Sequence, residues 1–166
     1  MSILQELFKS AVSSAIHLET RDSYEPDDPD WIDWREGRRF DPAERWPAWF
    51  GLVRDTTARG VSVQRARIVS EPPTDYVKYE HDVTPGLNLA SGEEVRWLTR
   101  SRAVGLLIPA VDFWIFDKAV VVVNHFDGYG GNLRHEQLDD VDLAVRYTAS
   151  FEEIWDRSTP HAEYRI

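Results

Sequence analysis

The chain has 166 residues, a formal net charge of −10 and no cysteine. The lack of cysteine excludes disulfides, thiolate nucleophiles and cysteine-ligated zinc, and the acidic balance argues against direct binding to nucleic acid, which requires a basic surface to neutralise phosphates. The length and a hydrophobic content of 42% suit a single domain, residues 1–166, with a core of useful size.

The first part of the chain, residues 1–40, predicts a helix, a strand and an acidic loop. Apolar residues recur at helical spacing between residues 3 and 12, with Ser2 as the N-cap. Residues 16–21 alternate as a short strand. Residues 22–30 hold two prolines and five acidic residues, a composition typical of a loop. The N-terminus lacks the features of a signal peptide and no apolar run is long enough to span a membrane, so we expect a cytoplasmic protein without membrane contact.

Residues 41–157 predict a core of alternating helices and strands. Asp41 and Pro42 match a helix start, an N-cap followed by proline at the first helical position, and Gly60 matches the end of that helix. Residues 61–69 alternate as a strand with both faces at least partly covered. This part of the chain therefore begins with a helix that leads directly into a strand.

The second half of the core adds further strands. Thr74 matches the N-cap of a helix, and residues 94–99 alternate as another strand. Asp117 and Lys118 predict a tight hairpin turn, followed by the continuous β-branched run Val120–Val123, which is typical of a strand buried on both faces. The turn supplies an antiparallel pair of strands.

A final helix follows Asp140, and residues 158–166 read as an irregular tail. The order of helices and strands favours an α/β fold, an α-β-α sandwich with a mixed sheet. The chain shows no internal repeat and no linker, so these elements are expected to form one domain.

Three segments resemble one half of a phospholipase D-like domain: Thr57–Val63, Asp112–Asp117 and Phe151–Trp155. The resemblance covers roughly residues 43–157 and implies a phospholipase D-like half-domain. That family carries a histidine, a lysine two residues later, and an aspartate after four further residues. Here Asp117 matches the aspartate, whereas Ala110 and Asp112 stand at the histidine and lysine positions.

The substitutions at these two positions remove the chemistry that the resemblance would imply. In the family the histidine is the nucleophile and the lysine stabilises phosphoryl oxygens. Alanine at Ala110 does neither, and Asp112 would repel a phosphate. We therefore expect no phosphodiesterase activity and name no catalytic residue. Because phospholipase D-like half-domains pair across a two-fold axis, the resemblance also implies a homodimer.

The whole chain is also similar to a group of small, uncharacterised actinobacterial proteins that are often encoded beside XRE-type helix-turn-helix regulators. The matching phrases are Leu18–Tyr24, Glu71–Tyr76, Gly92–Leu98 and Asp112–Asp117. This resemblance implies a regulatory setting and a helix-turn-helix regulator protein as partner. It supplies no catalytic residues.

Charged and aromatic residues near the predicted strands form the candidate ligand site, a cleft over the strand from Asp112 to Asp117. Charged residues at or near predicted strands, which include Glu19, Arg65 and Arg67, either pair inside a cleft or cover a solvated face. Residues 112 and 117 fall on opposite faces of the strand, which argues against a paired-carboxylate site and favours Asp117 as a turn residue. The candidate ligand-binding residues are Arg21, Glu71, Tyr76, Arg96, Asp112, Trp114 and Asp117.

Two functional hypotheses follow. The first is a non-catalytic regulatory or binding protein associated with a helix-turn-helix regulator. The second is a small enzyme or small-molecule binder that uses the cleft for an anionic or planar ligand. The histidines show no metal-ligand spacing; His81 with Asp82, and His125 with Asp127, form only a weak candidate, so we expect no metal and no cofactor.

Overall fold

The computed structural model describes residues 1–166 and contains six α-helices and seven strands. The helices are Ile3–Ser10 (α1), Pro29–Arg35 (α2), Pro42–Arg45 (α3), Pro47–Ala58 (α4), Asp75–Thr84 (α5) and Val141–Arg157 (α6). The strands are Ser14–Glu19 (β1), Ser62–Val69 (β2), Glu94–Thr99 (β3), Asp112–Phe116 (β4), Val120–Phe126 (β5), Asn132–Leu138 (β6) and Thr159–Pro160 (β7). No helix has the length and apolar character needed to cross a membrane.

All seven strands join one mixed sheet in the order β6-β5-β4-β1-β2-β3-β7. Strands β1, β2 and β3 are parallel to one another, and every other neighbouring pair is antiparallel. The parallel strands are connected through helices, whereas β4, β5 and β6 follow one another as hairpins. The predicted α/β fold with a mixed sheet is confirmed.

Strand alternation assigns each side chain of the sheet to one of two helical layers. One face packs on α6: Leu18 of β1 and Ile68 of β2 lie in the same buried cluster as Phe151 and Ile154. The opposite face packs on α1 and α4, where Val63 lies in a second cluster with other buried apolar side chains. Full burial of one such Phe or Ile side chain contributes about 2–3 kcal/mol to folding. Odd-numbered residues of β1 and β2 therefore face α1, α4 and α5.

Most predicted helix boundaries are confirmed by cap geometry. The Ser2 side chain accepts a hydrogen bond from the Gln5 backbone in a capping box, and Thr74 caps α5 through the Val77 N–H. Gly60 has φ +88° just past α4. The single helix expected from Asp41 to Gly60 is wrong: Pro47 has no N–H to continue α3, so the chain starts again as α4.

Three elements were not predicted. Strand β7, Thr159–Pro160, lies in residues 158–166, which were expected as an irregular tail; it pairs with β3, and His161 and Tyr164 after it are buried. Residues 85–89 extend α5 as a short π-helical segment, Pro85–Leu89. Strand β6 follows the glycine loop at residues 128–131 and forms an edge of the sheet; its residues are mostly exposed and polar. A polar edge strand lacks the apolar alternation by which strands are recognised.

The predicted hairpin turn joins β4 and β5, and both of its residues adopt left-handed backbone, Asp117 with φ +52° and Lys118 with φ +57°. The Asp117 carboxylate accepts hydrogen bonds from the N–H groups of Ser13 at 2.8 Å and Ser14 at 3.0 Å, and from Val12. Burial raises the pKa of Asp117, but the hydrogen bonds from these N–H donors lower the pKa by more than burial raises it. The pKa therefore lies below its usual value. Asp117 thus fastens the turn to the segment before β1.

Replacing Asp117 with alanine is therefore expected to lower the free energy of unfolding by about 2 kcal/mol, because three backbone donors lose a charged acceptor and alanine is strained at positive φ. Urea unfolding followed by tryptophan fluorescence measures the change. Asp156→Ala, on an exposed position of α6, is the control and should stay within about 0.5 kcal/mol of the parent. Equal stability of the two variants would contradict the fastening role.

Candidate functional site

A cavity of about 280 Å³ lies between the sheet and the helices on the α4 and α5 side. Its floor, the sheet side, is formed by β1, β2 and β4. Its roof comes from α5, the π-helical segment and the start of α4. The floor residues are His17, Glu19, Arg65, Arg67 and Trp114; the roof residues are Trp46, Trp49, Tyr76, Tyr79, Glu80, Val83, Leu87 and Asn88. The volume corresponds to about nine water molecules, enough for a small organic ligand.

Glu19 is the centre of an ion-pair network in the floor. Its carboxylate accepts hydrogen bonds from Arg65 Nη1 and from Arg67 Nε, both at 2.6 Å, and from His17 Nε2 at 3.1 Å. Burial raises the pKa of Glu19, but Arg65, Arg67 and His17 together lower it well below its usual value. Glu19 is therefore an ionised carboxylate whose oxygens are fully engaged by protein donors.

The same network continues beneath the roof. Arg65 donates from Nε to Glu93 at 2.7 Å, and Glu93 also accepts from Asn88 Nδ2 at 2.5 Å. Arg67 donates from Nη1 to the hydroxyl of Thr84 at 2.8 Å. Arg65, Arg67 and Glu93 are all buried. Buried charges require partners of opposite sign, and these pairs supply them.

His17 is fixed from three sides. Its Nδ1 lies 2.8 Å from the carbonyl oxygen of Phe113, and its Nε2 faces Glu19. The imidazole stacks on the indole of Trp114 with ring centroids 4.1 Å apart and planes 6° from parallel. Each ring nitrogen therefore has an oxygen atom of the protein as its neighbour. Neither nitrogen is free to accept a proton from a substrate.

Several polar atoms of the cavity have no hydrogen-bond partner in the protein. Asn88 Oδ1 is buried and unpartnered, and its orientation is set because Nδ2 of the same amide donates to Glu93. The Glu80 carboxyl makes no hydrogen bond; its nearest cation is Arg67 Nε at 3.8 Å. The Nη2 atoms of Arg65 and Arg67 and the hydroxyls of Tyr76 and Tyr79 also lack protein partners, although these residues line the cavity.

Glu80 has an unusual protonation equilibrium. The pKa of its carboxyl is raised to about 8, first by burial and also by the negative charge of Glu19, while Arg67 and Arg65 act in the opposite direction. At neutral pH this side chain is mostly a neutral acid that donates one O–H. The pKa values of Tyr76 and Tyr79 are also raised, mainly by burial, so both hydroxyls remain protonated.

Comparison of the sequence with known protein families identifies one match. The sequence profile of a domain of unknown function, DUF6879, matches residues 2–166. The chain belongs to the DUF6879 family. A search of curated proteins found no match to the chain.

Among solved structures, the DUF6879 fold is similar to part of TrmBL2, an archaeal chromatin protein whose structure is described as showing a novel mode of DNA binding. The two align with a TM-score of 0.50 at 12% sequence identity, over 94% of this chain and 49% of that chain. The chain thus spans about half the length of that protein. At this identity the likeness shows a common fold and does not transfer DNA binding to the DUF6879 domain.

Two of the seven candidate ligand-binding residues, Tyr76 and Trp114, line the cavity of the DUF6879 domain. Arg96 does not: it lies on the α6 face of β3, where its guanidinium stacks 4.4 Å from the ring centroid of Trp155. Strand alternation explains the separation, because the neighbouring Trp97 faces the opposite layer.

The other four candidates lie outside the cavity. Asp112 is buried and accepts hydrogen bonds from the Thr20 N–H at 2.9 Å and from the Tyr24 hydroxyl, which ties the end of β1 to β4. Asp117 fastens the hairpin turn. Arg21 lies 5.4 Å from the ring centroid of Phe126. Glu71 is exposed, before the cis peptide bond to Pro72. Of the segment from Asp112 to Asp117, only Trp114 lines the cavity, and the rest of the floor comes from β1 and β2.

The candidate residues named from the sequence do not include four residues of the cavity floor, which are His17, Glu19, Arg65 and Arg67. The sequence carried a signal for them: Arg65 and Arg67 alternate with Ala66 and Ile68 in a strand whose faces are both covered. Charged residues at one face of such a strand must be buried and paired, and pairing inside a cleft was one of the two alternatives that the sequence left open for them.

No group of three or more metal-ligating side chains is close enough together to hold a metal ion.

Proposed function

We propose that the DUF6879 domain is a non-catalytic small-molecule-binding domain with a regulatory role, and that the cavity between the sheet and α5 is its ligand site. The observation that carries the proposal is the pair of Nη2 atoms of Arg65 and Arg67, charged donors of cavity-lining residues that have no acceptor in the protein. A hydrogen bond to a charged group contributes about 1.5–3 kcal/mol. A ligand that accepts from these atoms gains this free energy.

The chemistry of the walls supports the same role. The indoles of Trp46, Trp49 and Trp114 offer flat apolar surface, while Glu80, Tyr76 and the arginines offer unpartnered polar groups. Ligand sites combine apolar walls with a few polar groups that fix orientation. Most of the polar network is buried and rigid, so the site is formed before a ligand enters and little ordering entropy is lost on binding.

We place the domain among phospholipase D-like half-domains that have lost their catalytic groups. The similarity of Thr57–Val63, Asp117 and Phe151–Trp155 to the family supports this origin, and Ala110 and Asp112 at the family's histidine and lysine positions support the loss. In the structure Ala110 is exposed before β4, and Asp112 is committed to Thr20 and Tyr24. His17, the histidine of the cavity, is held by Phe113 and Glu19 and supplies no nucleophile.

The regulatory setting rests on the sequence similarity to proteins encoded beside XRE-type regulators. In this proposal the domain reports the ligand to a helix-turn-helix regulator protein, and it acts as a homodimer. The net charge of −10 supports contact with a basic protein surface and no direct contact with nucleic acid. Co-purification with the neighbouring regulator and light scattering of the purified chain test the two assemblies.

A small enzyme is the alternative, and one observation favours it. Glu80 lies in the cavity without a hydrogen-bond partner and has a pKa of about 8, a value suited to a general acid or base near neutral pH. Under this alternative Glu80→Gln retains ligand binding and abolishes turnover. Under the binding proposal the ligand is released chemically unchanged, which mass spectrometry of the recovered ligand establishes.

The binding proposal is tested by screening small organic compounds for thermal stabilisation of the protein against a variant with a blocked cavity. Leu87→Trp enlarges a half-buried roof side chain and is expected to abolish the stabilisation given by any true ligand. Leu89→Trp is the matched control: it lies in the same π-helical segment, is 37% exposed and does not line the cavity.

A ligand at ten times its dissociation constant raises the free energy of unfolding by about 1.4 kcal/mol, which is several degrees in melting temperature for a domain of this size. We expect hits that stabilise the parent chain and Leu89→Trp equally and leave Leu87→Trp unchanged. Stabilisation that is the same in all three proteins would place the ligand elsewhere and would overturn the assignment of the cavity.

A further inference from the structure

The unpartnered polar atoms of the cavity are mostly hydrogen-bond donors. Arg65 and Arg67 each keep Nη2 free of protein acceptors, and Tyr76 and Tyr79 each keep a hydroxyl. The unpartnered acceptors are fewer: Asn88 Oδ1, which is inaccessible, and the Glu80 carboxyl, which also donates while it is protonated. Two arginine donors two residues apart on one face of β2 suit the oxygens of one anionic group.

The charges of the lining residues bear on whether the ligand is an anion or a cation. Arg65 and Arg67 are positive, Glu19 is the ionised carboxylate of the lining, and Glu80 is mostly neutral at pH 7. Glu93 balances Arg65 from outside the lining. Glu19 and Glu93 balance the two arginines, but the Nη2 atoms that remain free of protein acceptors are positively charged donors, so the open part of the site presents donors to an anion.

The walls determine the shape of the ligand. Trp49 and Trp114 meet edge to face at 6.0 Å, and Tyr76 and Tyr79 do so at 5.5 Å, so flat indole and phenol surfaces bound a small space. Aromatic walls pack best against a planar partner. We propose that the ligand of this cavity is a small planar organic anion, an aromatic or conjugated carboxylate, whose carboxylate binds Arg65 and Arg67 while its ring contacts the tryptophans.

This inference rests on the proposed binding function and narrows it to a ligand class.

The ionisation of Glu80 predicts how the affinity for such an anion depends on pH. The groups that act on it are Arg67 and Arg65 of β2, Glu19 of β1, Asp112 of β4 and Tyr76 and Tyr79 of its own helix. Neutral Glu80 tolerates or donates to an anion, whereas ionised Glu80 repels it. Affinity for an anion should therefore fall as the pH rises through about 8, and affinity for a cation should rise.

The test uses three planar probes of nearly equal size: benzoate, benzamide and benzamidine, which are an anion, a neutral molecule and a cation. Binding is measured by isothermal titration calorimetry at pH 6.5 and pH 9.5. We expect benzoate to bind at least about tenfold more tightly than benzamide at pH 6.5, and benzamidine more weakly than either. The affinity for benzoate should fall about tenfold or more at pH 9.5, and Glu80→Gln should remove most of this fall.

A second variant checks the site without disturbing the fold. Tyr76→Phe removes a hydroxyl that has no partner in the protein, so it should leave stability unchanged while weakening benzoate about three- to tenfold. Tyr129→Phe, at a side chain that is 87% exposed, is its control. Benzamide or benzamidine binding as tightly as benzoate would overturn the anion class but retain the binding site. Failure of all three probes would overturn the planar-anion inference, while the broader screen with Leu87→Trp still decides whether the cavity binds ligands at all.

Discussion

Replacing Glu19 with glutamine is expected to lower the free energy of unfolding by about 3–5 kcal/mol. The carboxylate accepts from Arg65, Arg67 and His17 at 2.6, 2.6 and 3.1 Å. The glutamine amide offers one acceptor oxygen where the carboxylate offers two. The NH₂ group of the amide would then face the donors of the arginines, where no acceptor is available. Two buried guanidinium groups then lose the anion between them, and a buried charge without its partner is among the most destabilising features in a protein.

Urea unfolding at pH 7, followed by tryptophan fluorescence, measures this effect. Glu94→Gln is the matched control, because Glu94 is an exposed residue of β3 and should change stability by less than about 0.5 kcal/mol. A loss below 1 kcal/mol in Glu19→Gln would mean that water in the cavity compensates the two arginines, and the floor would then be far more hydrated than the buried network indicates.

The second large effect has the opposite sign: replacing Glu80 with glutamine should stabilise the protein at high pH. The pKa of Glu80 is about 8 in the fold and 4.5 for the ordinary side chain. Between these values the folded state holds a proton that the unfolded state has released, so the stability of the parent chain falls as the pH rises from about 4.5 to 8. Glutamine has no such titration.

We expect the stabilisation by Glu80→Gln to be about 2–4 kcal/mol larger at pH 8 than at pH 5, since each pKa unit corresponds to about 1.4 kcal/mol. Unfolding curves at several pH values give the difference. Glu93→Gln is the contrasting variant from the same part of the fold: the Glu93 carboxylate accepts from Arg65 and Asn88 at 2.7 and 2.5 Å, so this substitution should be destabilising at pH 8, where Glu80→Gln is stabilising. If Glu80→Gln were equally destabilising, Glu80 would be an ionised partner of Arg67.

Local sequence signals were sufficient for most of the architecture. Ser2, Asp41, Thr74 and Asp140 all cap helices where their spacing placed them, because a cap is decided by a few neighbouring residues. The sheet strands with apolar alternation were also predicted. Strand β6 was missed because it lies at the sheet edge with little apolar content, and its pairing with β5 is a long-range property.

The site was harder to predict because it depends on which side chains share a face and on what covers them. Tyr76 and Trp114 were identified, but Arg96 was assigned to the wrong side of the sheet, although its alternation with Trp97 carried that information. Recognition of Glu19 as the partner of Arg65 and Arg67 required the register that places β1 beside β2. No short motif encodes such a pairing across 46 or 48 residues of chain.

The cavity joins two parts of the structure that are constrained to different degrees. Its floor is the reverse side of strands whose other face forms the main hydrophobic core with α6, so a substitution there disturbs the whole fold. Its roof is built from short helical segments with half-buried side chains such as Trp46, Tyr76 and Leu87. Under the proposed binding role, changes in the roof alter the choice of ligand at small cost in stability, so that family members with different roofs bind different ligands over the same charged floor.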